Sequence, residues 1–79
     1  MENFGNRLRK IREKRGLSQV QLVKMIAKIE VIQAFNSDVI GKYERGERFP
    51  NAYKLHDICV ALNVSADYLL GLSDKEDLK

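Results

Sequence analysis

The sequence predicts an all-α fold, one compact domain of five short helices. Three observations predict it. Apolar residues recur at helical spacing, side-chain oxygens stand where helices would start, and glycine or asparagine stands where they would stop. At 79 residues the chain is sized for one domain. A chain this short buries only roughly 60% of the surface its unfolded form exposes, so its core must be economical and a large substrate pocket is not expected. Hydrophobic residues make up 44% and charged residues 32%, a balance that folds rather than staying disordered.

The first helix is predicted over residues 3–15, where Phe4, Leu8 and Ile11 share a face and Gly16 follows as a stop. Ser18, with Gln21 three residues later, forms a capping box that starts a second helix. Leu22, Met25, Ile26 and Ile29 supply its apolar stripe. Residues 29–35 fit neither a helical nor a strand period, and the helix is read as continuing to Glu30 with irregular chain beyond. Ile29, Val31, Ile32 and Phe35 are expected to thicken the core; the other reading is an exposed patch for a partner. Asn36 caps a third helix, in which Asp38 suits the first turn, and Gly46 stops it after Arg45. Glu47-Arg48-Phe49-Pro50 is a loop. Asn51 caps a fourth helix with Leu55, Ile58, Cys59 and Leu62 on one face, and Asn63 ends it. Ser65 caps a short fifth helix over residues 66–70 that ends at Gly71. Residues 1–72 are thus read as the folded domain and 73–79 as a polar tail that frays.

Charge is unevenly spread around a net +3. Residues 1–16 hold Arg7, Arg9, Lys10, Arg12, Lys14 and Arg15 against Glu2 and Glu13. Residues 65–79 hold Asp67, Asp74, Glu76 and Asp77 against Lys75 and Lys79. A basic front and an acidic rear suit an oriented anionic partner, nucleic acid first; the plain alternative is ordinary solvated helix surface. No apolar run approaches the roughly 18 residues of a membrane span, and no signal-peptide pattern is visible. With a single cysteine there is no internal disulfide, and a cytoplasmic location is expected. His56 and Cys59 lie three apart on the fourth helix, but no second cysteine or histidine completes a zinc site, which takes about four ligands. Cys59 falls on the apolar stripe and reads as core. No catalytic triad, phosphate loop or close carboxylate pair is present, so neither an enzyme nor a cofactor or metal is expected.

Leu17-Ser18-Gln19, then Tyr43-Glu44-Arg45-Gly46-Glu47, then Pro50, then Leu62-Asn63-Val64-Ser65-Ala66-Asp67-Tyr68-Leu69-Leu70-Gly71 resemble the lambda-repressor/Cro-type (XRE-like) helix-turn-helix family. The resemblance runs over residues 7–72. It implies a lambda-repressor-like DNA-binding domain and a transcriptional regulator, a repressor that occupies a palindromic operator as a homodimer. Its third helix would enter the major groove, with half-sites about 34–36 Å apart. Gln19 would anchor a DNA phosphate through its side chain and backbone N–H, as suits a helix N-terminus. Ser37, Asp38 and Lys42 would read base edges, Lys42 donating to guanine and Asp38 accepting from cytosine. Asn36 and Ser37 are also placed to bind phosphate, while Arg45, Arg48 and the Tyr43 hydroxyl would grip the DNA backbone.

Plainer roles stand beside these: Asp38 as a first-turn carboxylate, Lys42 and Arg48 as solvated charges, and Gln21 as a capping partner. Gly41, at roughly 1 kcal/mol against alanine inside a helix, admits close approach either by DNA or by another helix. The resemblance also implies a structural ion pair between Arg12 and Glu44, and dimer contacts at Tyr68, Leu69 and Leu72. No ligand-sensing domain follows, so no small-molecule effector is expected. The spacing from Gln19 to Tyr43 exceeds the family pattern, with the surplus within residues 27–35 and Ala34-Phe35 where the usual glycine turn stands. Loop-closure entropy grows slowly enough to tolerate this. The rival reading is an antitoxin-like protein-interaction module docking through residues 29–35.

Overall fold

Asn3 opens α1 (Phe4–Lys14): its side chain accepts from the backbone N–H of Asn6 at 2.8 Å. The structure, a computed structural model, describes residues 3–29 and 36–76. Within them the elements run α1, α2 (Gln19–Ile29), α3 (Ser37–Glu44), α4 (Ala52–Leu62) and α5 (Ala66–Leu69). Asn36, Asn51 and Ser65 cap α3, α4 and α5 in the same way, each accepting from the backbone N–H three residues on. The capping box of α2 is reciprocal. Ser18 Oγ accepts from Gln21 N at 3.0 Å, and Ser18 N donates to Gln21 Oε1 at 2.8 Å.

The helix ends follow one scheme. At α3, Gly46 takes φ +76°, its N–H donates to Tyr43 O, and Glu47 N–H donates to Lys42 O. This is the Schellman arrangement, which satisfies carbonyls that the last turn leaves open. The ends of α1 at Gly16, α4 at Asn63 and α5 at Gly71 repeat it.

One core unites the helices. Leu8 and Ile11 of α1, Leu22 and Ile26 of α2, Ile40 and Tyr43 of α3, Ile58 and Leu62 of α4, Val64, and Leu69 of α5 are fully buried. α1 packs on α3 and α5, and α2 packs on α3 and α4. The α1–α3 crossing is tight because Gly5 stands at it. A β-carbon there would collide with the Tyr43 and Glu44 carbonyl oxygens, the former at 2.7 Å.

Two expectations are corrected. The polar segment from Ser73 does not fray before Glu76. Arg7, buried on α1, donates to the carbonyls of Tyr68 and Ser73 at 2.8 Å each and pairs with Asp74 at 3.0 Å. Its guanidinium also lies 4.6 Å from the Tyr68 ring centroid. Ser65 N–H donates to Glu76 O at 2.8 Å, and Lys14 pairs with the Glu76 carboxylate at 2.6 Å. An arginine at a core-facing position needs acceptors, and the tail brings them. Ile29, expected in the core, is 40% exposed at the end of α2. The expectations for Val31, Ile32 and Phe35 lie outside the described residues.

Candidate nucleic-acid interface

The start of α2 and the length of α3 meet around one buried carboxylate. Glu44 accepts from Arg12 Nε at 2.6 Å and Nη2 at 3.1 Å, a two-pronged pair whose side chains are only 10% and 5% exposed. Arg12 Nη1 donates to Leu17 O at 2.7 Å, in the turn before α2. Glu44 also accepts from Gln19 Nε2 at 3.2 Å. The implied Arg12–Glu44 partnership is thus met in space, and it carries a third member. The bond that Arg12 donates to Glu44 holds the Arg12 pKa above its ordinary value, against the opposing effect of burial. This cluster ties α1, the entry to α2 and the end of α3 together, and it fixes the amide of Gln19 at the first residue of α2.

Beside it lies a cleft of about 260 Å³ lined by Arg9, Arg12, Gln19, Gly41, Glu44 and Arg45. A β-carbon on Gly41 would stand 2.9 Å from Arg45 Nη1 and 3.5 Å from the Gln19 side chain. Gly41 therefore makes room for side chains from the end of its own helix and from α2.

On α3, Asn36 spends its side-chain oxygen on Val39 N at 2.9 Å. Ser37 and Lys42 are half-buried and Asp38 is exposed. Asp38 and Lys42 are one turn apart, on one face. Arg45 and Arg48 are exposed beyond the helix end. Arg45 forks onto Glu47, Nε to Oε2 at 2.8 Å and Nη2 to Oε1 at 3.3 Å. That bond raises the Arg45 pKa and lowers that of Glu47. Arg9, also in the cleft lining, pairs with Glu13 at 3.5 Å.

Tyr43 departs from its expected role. It is 1% exposed and belongs to the core, so its hydroxyl is not offered to a DNA backbone. Burial pushes its pKa up, opposed by the charge of Arg48. Tyr68 and Leu69, expected at a dimer contact, are likewise core residues holding α5 down. Leu72 is 75% exposed, with Leu70 exposed close by in sequence. Gln21 is the capping partner it was read to be.

Other chemistry finds no assembled site among the described residues. Among the described residues no group of three or more His, Cys, Asp or Glu side chains could hold a metal. No described helix is long and apolar enough to cross a membrane. Cys59 is buried, which pushes its thiol up to about 11. His56 Nδ1 lies 3.1 Å from Asp57 Oδ1, and Asp57 is buried on α4 with Oδ2 unbonded.

Sequence reasoning passed over Gly5, Arg7 and Glu47. Arg7 had a signal, a charge in the Phe4-Leu8-Ile11 stripe. Glu47 had a weaker one, an acid two residues past an arginine across a stop glycine.

The geometry is that of a helix-turn-helix domain, and the comparisons agree. The family described as "Helix-turn-helix domain" matches residues 5–75. An uncharacterized HTH-type transcriptional regulator, YazB of Bacillus subtilis (strain 168), is 32% identical over 68 residues, covering 86% of this chain and 88% of YazB. The P22 c2 repressor, solved in complex with a synthetic operator in the presence of Tl+, superposes with a TM-score of 0.78 at 32% identity, over 92% of this chain and all of that one. The chain belongs to the lambda-repressor-like (XRE-type) family of helix-turn-helix DNA-binding transcriptional regulators.

Proposed function

We propose that this protein is a repressor that binds a palindromic operator as a homodimer, with α3 in the major groove. The observation that carries the reading is Gln19. It stands at the N-terminus of α2, where unpaired backbone N–H groups favour an anion, and Glu44 holds its amide against α3. A DNA phosphate clamped there would set α3 in the groove. Ser37, Asp38 and Lys42 would then face base edges, while Asn36, Arg45 and Arg48 would contact phosphates. Leu72, with Leu70, is the dimer contact in this reading. The DNA-binding domain extends through the docked segment to Glu76, past the boundary at Leu72 read from the sequence. The likeness to an operator-bound repressor supports the reading, at a sequence identity of 32%.

Selection from random duplexes, followed by a salt titration on random and selected DNA, tests it. A palindrome should emerge, and affinity should fall with a log–log slope near −0.9 per phosphate contacted. Lys42→Ala should lose roughly 1–3 kcal/mol of discrimination at one base pair, while Gln19→Ala should weaken all duplexes alike. Neither a selected sequence nor a salt slope would leave the protein-interaction reading, for which the exposed Ile29 is the first described residue to vary.

A further inference from the structure

Arg45 lines the cleft beside Gln19 and is more than half exposed, yet its charge is already engaged within the chain. The Schellman end of α3 sets this up. Gly46 at φ +76° turns the chain back, and the bond from Glu47 N–H to Lys42 O, 2.9 Å, fixes Glu47 beside the last turn. Its carboxylate then meets the Arg45 guanidinium with both oxygens. Arg45 meanwhile lies back over Gly41, its Nη1 2.9 Å from the place a β-carbon would take. The negative charges of Asp38 and Glu44 also act on it. A guanidinium so seated faces the cleft in a set position, with a carboxylate occupying the fork geometry that a phosphate would use.

We infer that Glu47 is an intramolecular competitor for the DNA phosphate that Arg45 contacts, and so sets how tightly the protein holds any duplex. The inference rests on the DNA-binding reading above. Both side chains are more than half exposed, 57% and 54%, so the pair is weak enough for a phosphate to displace. The exchange releases a carboxylate close to the DNA, and the net charge delivered to the phosphate is near zero. Phosphate contacts carry no sequence information, so the competition lowers affinity equally for random and operator duplexes.

The test is a double-mutant cycle on the full chain, with binding measured across a salt series. Glu47→Gln should bind about two- to fivefold tighter at physiological salt, the range over which an exposed pair competes. Its salt slope should steepen by about 0.9, for one more effective phosphate neutralised. The ratio of selected to random affinity should stay unchanged. In an Arg45→Gln background the same Glu47→Gln change should give no comparable gain. An equal gain in both backgrounds would make Glu47 a general surface charge and overturn the inference. So would unchanged or weaker binding by Glu47→Gln, which would make Glu47 a support for Arg45. These outcomes require a wild-type protein that binds with a salt slope. A wild-type protein with neither slope nor selected duplex overturns the DNA-binding reading, and this inference with it.

Discussion

Arg12–Glu44 lines the cleft, Arg45–Glu47 reaches it through Arg45 alone, and the two pairs do different work. Arg12–Glu44 joins α1 to α3 and is almost wholly removed from water; Arg45–Glu47 spans one helix end and is more than half exposed. Both are forks of similar length. The difference lies in what surrounds them. Glu44 has no solvent to replace a lost partner and also carries Gln19, so the buried pair acts as a joint. Glu47 loses little when its partner leaves, because water takes over. Burial turns one ion pair into architecture, and exposure leaves the other free to be exchanged.

The largest effect follows from breaking the joint. Arg12→Ala should cost about 3–5 kcal/mol in chemical denaturation, because Glu44 is left charged and buried. Replacing both partners at once, Arg12→Met with Glu44→Leu, should recover most of that loss, since a buried pair contributes little against well-packed apolar groups. The double variant would still leave Gln19 without its acceptor. DNA binding should therefore stay weakened in a stable protein, which separates the positioning role from the stabilising one. An unchanged thermal midpoint for Arg12→Ala, with DNA binding lost, would instead make Arg12 a direct phosphate contact.

Gly5→Ala reaches the same joint from the backbone. Alanine is the better helix former by roughly 1 kcal/mol, so on propensity alone the change should stabilise. The new methyl would meet the Tyr43 and Glu44 carbonyls, which are backbone and cannot swing away. A net loss of about 1–3 kcal/mol is expected, the usual cost of overpacking. The damage should fall on the contact between α1 and α3 that aligns Arg12 with Glu44. Arg45–Glu47 spans only the end of α3 and should be untouched, which a Glu47→Gln affinity gain of the same size in the Gly5→Ala background would confirm. A stabilised Gly5→Ala protein would show that the helices can separate without cost.

What the sequence disclosed divides along the same line. Caps and stops are local, and Ser18–Gln21, Asn36, Asn51, Asn63 and Ser65 act as read, because each signal needs only its own neighbours. Arg12 with Glu44 was legible only through the family resemblance, since they lie 32 residues apart and no periodicity links them. Long-range partners explain the misses. Arg7 meets the tail across more than 60 residues, so the tail looked unattached. Motif position places Tyr43, Tyr68 and Leu69 on surfaces, whereas their burial depends on how α3 packs against α1 and α2 and α5 against α1 and α4. Gly41 showed that something approaches closely, but not that it was Arg45 and Gln19.

The smallest effect is the one that would most readily break the comparison. Glu47→Gln and Arg45→Gln, each alone, should leave the thermal midpoint where it is, and added salt should not alter that result. Both groups face water, both bonds lie within a two-residue span, and the backbone of that span is held by the Gly46 and Glu47 N–H groups rather than by side chains. A midpoint lowered by either variant, and lowered further in low salt, would make the pair a brace for the end of α3. The two pairs would then differ in degree only, and any change in DNA affinity in Glu47→Gln would have to be read as a change in the helix. An unmoved midpoint lets the affinity measurement report on charge alone, because the same fold presents Arg45 with and without its carboxylate.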